Sequence, residues 1–148
     1  MPQKIFIDTG QMSQRDIIEQ FKNEKGLILG TGVFWEGIDL KKEYLTSLII
    51  AQLPFPVPDP IIENKIQKIG NRDKVVLPEM LIKLKQGVGR LIRSQSDVGL
   101  LTILDNRMNN VNYRFRQDIF NSLTIKNEIT ENEIESFQKD INKRYFSI

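Results

Sequence analysis

The sequence predicts an α/β fold with an open, mostly parallel sheet that is flanked by helices. Four short apolar runs are nearly continuous rather than alternating, as in strands buried on both faces of a parallel sheet. They are Lys4–Asp8, Gly26–Gly30, Thr46–Leu53 and Val98–Asp105. Strands that alternate with helical segments in this way form open α/β sheets. Ligands of such sheets bind beyond the carboxyl ends of the strands, so we search for a functional site there.

The first two helices are predicted from their end signals. Residues 14 to 23 form the first, because Ser13 and Asp16 make a capping pair at its start. Pro78–Arg93 forms the second, with the proline in the first turn, where its missing N–H costs nothing. These helices would cover the sheet between successive strands.

A C-terminal helix is predicted from Glu131 to about Tyr145, with Thr130 and Glu133 as its capping residues. Its apolar positions are spaced three and four residues apart, which is typical of a helix face that packs on a core. Those positions are Ile134, Phe137, Ile141 and Tyr145. The proline-rich residues 53 to 60 are expected to be a stiff, extended connection instead.

Length and composition indicate one ordinary globular domain with a single core. The chain has 148 residues, and 21 basic against 19 acidic side chains leave a net charge of only +2. A charge this small gives no general attraction for nucleic acid, so any such contact must be local. The absence of cysteine and histidine excludes zinc sites made of those ligands, iron–sulfur ligation and Ser-His-Asp catalysis, and we predict no metal site. No membrane or secretion segment is recognisable, so the expected compartment is the cytoplasm.

One predicted helix has a polar face opposite an apolar one. At about 100° per residue, Gln86, Arg90 and Arg93 fall within roughly 60° of one another. Gly87 and Gly89 flank this face, and glycines inside a helix indicate that something large approaches the backbone closely. Paired guanidinium groups suit a phosphate, because each donates two hydrogen bonds and stays charged. Ordinary surface arginines on a solvated face are the alternative.

The second candidate stretch, Gly30–Asp39, follows the second strand and reads G-T-G-V-F-W-E-G-I-D. Its glycines permit turns whose exposed amides bind phosphate oxygens. Trp35 stacks a base or, as a pair with Phe34, anchors the loop to the core. Glu36 and Asp39 are suited to a ribose hydroxyl, an arginine partner or a turn cap, and chemistry alone does not choose among these.

Together with L-K-Q-G-V-G-R-L-I-R-S at residues 84 to 94, this loop resembles motifs V and VI of superfamily 2 helicases. The W-E-G-I-D core, the L-P-F at residues 53 to 55 and the L-D-N-R at residues 104 to 107 are similar to the DinG/XPD branch in their order. The resemblance covers about residues 1 to 120. It implies the second RecA-like domain of an ATP-dependent DNA helicase.

The resemblance also implies roles for individual residues. Gln86, Arg90 and Arg93 match the motif VI residues that face the γ-phosphate of ATP, and we assign them to catalysis. The positions expected to line the nucleotide are Gly37, Asp39 and Gly89. Those expected to contact single-stranded DNA are Thr31, Gly32, Val33, Trp35 and Glu36. Many relatives have a small hydroxyl residue in place of Val33, which weakens that one assignment.

Parts of the family pattern are missing. The sequence has no G-x-x-x-x-G-K-[ST] loop and no D-E-x-H box, so ATP and Mg²⁺ are expected to bind mainly to a first, N-terminal motor domain of the same polypeptide. This chain alone is expected to hold neither and to be inactive. We expect residues 1–148 to be a single domain truncated at its N-terminal edge, without the motif IV strand and helix.

Two other functions compete with a helicase half. One is an ATP-gated nucleic-acid-binding or regulatory module of a DinG-type repair protein that is fused to an exonuclease and does not unwind DNA. The other is an unrelated α/β binding domain with a fortuitous basic helix.

Overall fold

Helices separate the first strand from the second and the third from the fourth, as the sequence predicts, whereas no helix is described between the second and third strands and two helices follow the third. The computed structural model describes residues 4–31, 40, 43–123 and 127–146. Within these ranges the strands and α-helices are β1 (Ile5–Ile7), α1 (Gln14–Glu24), β2 (Leu27–Leu29), β3 (Ser47–Ile50), α2 (Pro60–Ile69), α3 (Asp73–Leu91), β4 (Leu100–Ile103), α4 (Arg116–Ser122) and α5 (Glu131–Phe146). All four strands lie inside the predicted apolar runs.

The strands pair in parallel, two by two. β1 pairs with β2 in the register Phe6 to Ile28, and β3 pairs with β4 in the register Leu48 to Leu101. Parallel pairs need a crossover connection, and α1 supplies it between β1 and β2, while α2 and α3 lie between β3 and β4. The parallel topology predicted from the sequence is therefore confirmed for both pairs.

The described residues bury two hydrophobic clusters, where a single core was predicted. The N-terminal cluster lies between β1 and α1 and contains Phe6, Ile17, Phe21 and Leu40. The central cluster lies around α3 and contains Ile50, Leu53, Met80, Leu84, Val88, Phe115, Ile119 and Leu123. Two clusters form because each two-stranded sheet packs against its own crossover helix.

The β1–β2 sheet buries only one of its faces. Phe6 is buried, whereas its neighbours Ile5 and Ile7 are exposed, and so are their register partners Leu27 and Leu29 on β2. Successive side chains of a strand point to opposite faces, so the four exposed side chains share the face that α1 does not cover. The expectation of strands buried on both faces is therefore wrong for this sheet.

The predicted helix caps are present. Ser13 Oγ accepts the backbone N–H of Asp16 (3.2 Å) and donates to the Asp16 carboxylate (2.7 Å). At α5, Glu133 Oε2 accepts the backbone N–H (2.8 Å) and the hydroxyl (2.7 Å) of Thr130. These two hydrogen bonds lower the pKa of Glu133, because they favour its ionised form.

The segment after β3 is extended only as far as Asp59, and α2 begins at Pro60, inside the stretch that was predicted to be a connection. Asp59 Oδ1 accepts the Ile62 backbone N–H (2.8 Å), and the helix ends before Gly70. The prolines obscured this helix, although an N-cap aspartate followed by proline is itself a start signal.

The helix α3 begins five residues earlier than predicted and ends two residues earlier. Asn71 Oδ1 accepts the backbone N–H groups of Asp73 (2.9 Å) and Lys74 (3.2 Å) and so caps the new start. Pro78 therefore lies inside the helix, not in its first turn. Pro78 has no N–H to donate to the Lys74 carbonyl, and both residues are exposed to water.

The helix α5 runs from Glu131 to Phe146 and agrees closely with its prediction. Ile141 is buried, and the other three positions of the predicted apolar stripe are half-buried. Within the described ranges, no helix is both long enough and apolar enough to cross a membrane.

A tight turn joins α1 to β2 and depends on Gly26. Gly26 has a φ of 144°, and a Cβ atom at this position would overlap the backbone oxygen of Lys4. That oxygen also accepts the Leu27 backbone N–H (2.8 Å), so β1 cannot withdraw without losing sheet pairing. Gly10 also has a positive φ, of 75°, but has nothing within 4 Å of a built Cβ.

We therefore expect Gly26→Ala to destabilise the fold by about 3 kcal/mol or more, because a steric clash adds to the backbone strain. Gly10→Ala carries the strain alone and should cost about 1 kcal/mol. Urea denaturation of both variants measures the difference. Equal losses for the two variants would show that the approach of Lys4 to Gly26 is unimportant.

Candidate functional site

The outward face of α3 carries the polar residues that the sequence singled out. Gln86 and Gly89 are exposed and Arg90 is half-buried. A Cβ atom built on Gly89 would have nothing within 4 Å, so a ligand can approach the helix backbone there. The opposite face is buried and consists of Val75, Val76, Met80, Leu84, Gly87, Val88 and Leu91. The amphipathic pattern predicted for this helix is therefore confirmed.

Two details of the prediction for this face are wrong. Arg93 does not share the helix face of Arg90, because α3 ends at Leu91 and Ile92 is extended, with φ −119° and ψ 103°. Gly87 does not flank the polar face but is buried with the apolar side chains. The first error comes from extending an ideal helix to residue 93, and the second from not knowing how wide a side of the helix packs against the core.

A buried carboxylate fixes the backbone at Arg93. Asp97 Oδ2 accepts the backbone N–H groups of Arg93 and Ser94, each at 2.8 Å, and Asp97 Oδ1 accepts the Ser94 hydroxyl at 2.9 Å. The Asp97 N–H in turn donates to the Ser94 carbonyl (3.1 Å). Asp97 is thus a residue of the candidate site that the sequence analysis missed, because a lone aspartate in a polar stretch gives no distinctive signal.

The chain after this turn returns closely against the end of α3. A Cβ atom at Gly99 would lie 2.5 Å from Leu91 Cδ1 and 2.7 Å from Leu91 Cγ. Glycine at this position is therefore required for the approach. This contact places Arg93 at the amino end of β4, whereas the sequence analysis looked for the site at the carboxyl ends of the strands.

The second candidate loop lies almost wholly outside the described residues. Thr31 is exposed and follows β2, whose last residue is Leu29. The predictions for Gly32, Val33, Trp35, Glu36, Gly37 and Asp39 all fall on residues 32–39, which the structure does not describe. Gln86, Gly89 and Arg90 thus lie on α3 and Arg93 lies in the turn that follows it, and the roles of all these residues stay predictions.

A group of polar contacts centred on Asp105, the Asp105 cluster, connects the carboxyl ends of β3 and β4. Asp105 accepts the Leu53 backbone N–H (2.8 Å) and both the Nε (2.9 Å) and Nη2 (2.6 Å) groups of Arg107. The Arg107 guanidinium lies over the Phe55 ring, 4.7 Å from its centroid. The L-P-F and L-D-N-R elements noted in the sequence thus meet in space.

Paired charges hold Asp105 in its ionised form. The side chain of Asp105 is buried, and the hydrogen bonds from Arg107 hold its pKa well below the usual range of a carboxyl group. The same pairing raises the pKa of Arg107. Desolvation by burial raises the pKa of the neighbouring Tyr113. The cluster therefore keeps its charges throughout the physiological pH range.

Next to this cluster lies an open cleft of about 340 Å³. It is lined by Phe55, Pro56, Arg72, Asp73, Val76, Arg107, Tyr113, Arg114 and Phe115. Arg114 forms a two-pronged ion pair with Asp73, with both N···O distances 2.7 Å, and lies over Phe115 at 4.5 Å from the ring centroid. Three guanidinium groups and three aromatic rings thus line one concave surface.

The described residues contain no group of three or more acidic, cysteine or histidine side chains that could hold a metal ion. Two of the three guanidinium groups in the cleft are paired with carboxylates, and Arg72 is the third. An arginine fork binds phosphate oxygens through paired, charge-assisted hydrogen bonds. The face of α3 and the cleft are therefore two separate surfaces on which a phosphorylated ligand could bind.

The Asp105 cluster predicts how stability depends on pH. We expect Asp105→Asn to lower the free energy of unfolding at pH 7 by about 2 kcal/mol. The loss stays below that of a fully buried pair because the Arg107 side chain is 45% exposed. A depressed carboxyl pKa stabilises the fold above the unfolded-state pKa. That contribution is lost progressively as pH falls below about 4 toward the lower folded-state pKa.

The variant should therefore be less sensitive to acid between about pH 4 and pH 2 than the parent chain. Urea titrations at pH 7 and pH 3 measure this. Glu135→Gln is the control, because Glu135 forms an exposed pair with Lys139. Loss of such a surface pair should change stability by roughly 0.5 kcal/mol or less. If the free energy of unfolding fell equally between pH 7 and pH 3 for Asp105→Asn and for the parent chain, the lowered pKa assigned to Asp105 would be contradicted.

Comparison with known proteins identifies the fold and the family. A solved XPD helicase superposes with a TM-score of 0.60 over 86% of this chain and 25% of that chain, at 19% identity, which establishes a RecA-like α/β fold. The sequence model of the helicase C-terminal domain matches residues 1–124.

Curated relatives are much longer than this chain. It is 41% identical over 106 residues to the ATP-dependent DNA helicase YoaA of Escherichia coli, covering 67% of this chain and 17% of the relative. It is 35% identical over 129 residues to the 3'-5' exonuclease DinG of Bacillus subtilis, covering 82% of this chain and 14% of the relative. The chain belongs to the helicase C-terminal domain family, of the DinG/XPD type.

Proposed function

We propose that this domain is the second RecA-like motor of an ATP-dependent DNA helicase and completes an ATP site shared with a first motor domain of the same polypeptide. Arg90 and Arg93 would stabilise the charge that develops on the γ-phosphate, and Gln86 would help to orient it. The first motor domain would supply the P-loop and the Mg²⁺ site. Hydrolysis would then depend on closure of the two domains.

One observation carries this proposal: α3 is held by a buried apolar face, and its polar face leads directly into a turn whose backbone is hydrogen-bonded by Asp97. The apolar face of α3 fixes the direction of Gln86 and Arg90, while Asp97 holds the backbone at Arg93. Catalytic groups stabilise a transition state best when they are held in place beforehand. The open space at Gly89 leaves room for the nucleotide or the partner domain.

The roles of residues 30–39 in this scheme stay predictions. Gly37 and Asp39 would line the nucleotide together with Gly89. Thr31, Gly32, Val33, Trp35 and Glu36 would couple its state to single-stranded DNA. Such contacts would be made to the sugar–phosphate backbone, because a translocating motor must not depend on sequence.

The arginines are tested in the complete helicase. We expect Arg90→Ala and Arg93→Ala each to lower kcat for DNA-stimulated ATP hydrolysis by about 10³-fold, the size of an arginine-finger effect. Replacement by lysine should rescue little, since a point charge lacks the guanidinium fork. Lys85→Ala, an exposed cation on the same helix, is the matched control and should be near normal.

Measurement of nucleotide-free DNA affinity on the same samples separates two interpretations. We expect this affinity to stay nearly unchanged, because these side chains would face the first motor domain. Loss of DNA binding with near-normal hydrolysis would show that the face is a nucleic-acid patch.

We propose that the cleft beside Asp105 also contacts single-stranded DNA. Positive groups that follow a backbone, combined with planar side chains for stacking, are typical of such surfaces. Arg72 is exposed at the N-cap position of α3 and lines the cleft. Its side chain is therefore placed to neutralise a phosphate.

We expect Arg72→Ala to weaken DNA binding equally for different sequences and to reduce the slope of log K against log salt by about 1, as for one lost phosphate contact. Arg15→Ala removes the same charge from the exposed surface of α1, where Arg15 pairs with Glu19, and is the control. Filter binding or anisotropy across a salt series measures both slopes. Equal slopes for Arg72→Ala and the parent would show that this cleft does not bind the DNA backbone through Arg72.

A second candidate function is an ATP-gated binding module without unwinding activity. It is favoured by one observation, that a relative aligned over 82% of the chain is named a 3'-5' exonuclease. Strand-displacement assays on the complete protein distinguish the two functions. ATP-dependent unwinding that is lost in Arg90→Ala supports the motor, whereas ATP-modulated DNA binding without unwinding supports the module.

A further inference from the structure

The last turn of α5 holds the backbone segment that follows Arg93. The Arg144 Nη2 group donates to the Ser96 carbonyl (2.8 Å). The Tyr145 hydroxyl accepts the Val98 backbone N–H (3.0 Å) and donates to the Val98 carbonyl (3.1 Å). Two adjacent side chains of α5 thus form hydrogen bonds with the backbone groups of Ser96 and Val98.

These contacts lie on either side of Asp97, whose carboxylate holds Arg93 and Ser94 from the interior. The turn is therefore held from two directions, by Asp97 inside and by α5 outside. The close approach of Gly99 to Leu91 leaves the turn little room to shift by itself. A displacement of Val98 would consequently move Asp97, and with it the backbone at Arg93.

The same end of α5 also contacts the N-terminal half of the fold. The Lys25 Nζ atom lies 4.2 Å from the centroid of the Phe146 ring. Lys25 is in the turn between α1 and β2, and β2 leads into the loop that begins at Gly30. The end of α5 therefore contacts the turn before β2, which leads to the loop at Gly30, and also the turn that follows Arg93.

We propose that the last turn of α5 is a positioning clamp for Arg93, in which Tyr145 and Arg144 hold the turn that sets the arginine backbone. This inference rests on the proposed function of Arg93 at the ATP site. The helix α5 lies beyond residues 1–124, which are the part that matches the family model, whereas the turn that it holds lies within that part. Tyr145 is a positioning residue and touches no substrate.

The first test needs no activity and uses the 148-residue chain. Tyr145→Phe keeps the ring and removes both hydrogen bonds to Val98. We expect amide hydrogen exchange to accelerate by about tenfold at Val98 and also at Arg93 and Ser94, which Tyr145 does not hydrogen-bond. Exchange at Leu84, in the buried part of α3, should stay unchanged and shows that the fold is intact.

Tyr44→Phe is the matched control, because the Tyr44 side chain contacts Lys22 through its ring and the structure gives its hydroxyl no hydrogen bond within the described ranges. It should leave exchange at Arg93 and Ser94 unchanged. Faster exchange at Val98 alone in Tyr145→Phe would overturn the clamp, since the disturbance would then stop short of the arginine.

The second test is a double-mutant cycle in the complete helicase. Tyr145→Phe should lower kcat by about tenfold with little change in KM for ATP, because it would disturb a contact made in the transition state. In an Arg93→Ala background the same substitution should have no further effect. A general loss of folded protein would instead lower kcat by the same factor in both backgrounds, and that result would overturn the proposal.

The two proposals fail in different ways. If Arg93→Ala leaves kcat unchanged, the role of Arg93 at the ATP site is wrong, and the exchange experiment still decides whether α5 holds the arginine turn. If Arg93→Ala lowers kcat but Tyr145→Phe does not, the ATP-site proposal stands and the clamp is wrong.

Discussion

Burial of one face of α3 is the constraint on which the rest of the structure depends. Met80 and Leu84 are completely buried in the central cluster, between the β3–β4 sheet and α4. A helix fixed in this way cannot rotate about its axis without exposing these side chains to water. The directions of Gln86 and Arg90 are therefore set by residues on the opposite side of the helix.

Two buried carboxylates connect segments that end beside this helix. Asp97 joins the end of α3 to the approach of β4, and Asp105 joins the exits of β3 and β4 through Leu53 and Arg107. Each carboxylate accepts hydrogen bonds from backbone N–H groups as well as from side chains. A charged acceptor makes stronger hydrogen bonds than a neutral one and is costly to leave unpaired, so both segments are held in single conformations.

The two surfaces suited to phosphate lie at opposite ends of α3. Arg72 precedes its first turn and Arg90 lies in its last. An α-helix rises about 1.5 Å per residue, which puts the two arginines about 27 Å apart along the axis. In the proposed function, one end of α3 would lie at a nucleic-acid surface and the other at an ATP site. A rigid helix would then move both surfaces together when the domain moves. In this scheme α5 would add a restraint at the ATP end, through Tyr145.

The sequence by itself determined the features that depend on local spacing. The four strands, the caps at Ser13 and Thr130, and the two faces of α3 follow from periodicity and end signals over a few residues. The family resemblance, carried by the motifs at residues 30–39 and 84–94, was likewise readable from short stretches. The start of α2 at Pro60 was also readable, as an aspartate cap before a proline, but the surrounding prolines concealed it.

Only the tertiary structure decided where α3 ends and what surrounds Arg93. The helix stops at Leu91, and the chain then turns so that Gly99 packs against that leucine. The partners that hold these turns are distant in sequence, since Leu53 and Asp105 are 52 residues apart and Val98 and Tyr145 are 47 apart. No local pattern records such contacts, because the hydrogen bonds form only once the folded chain has brought the segments together.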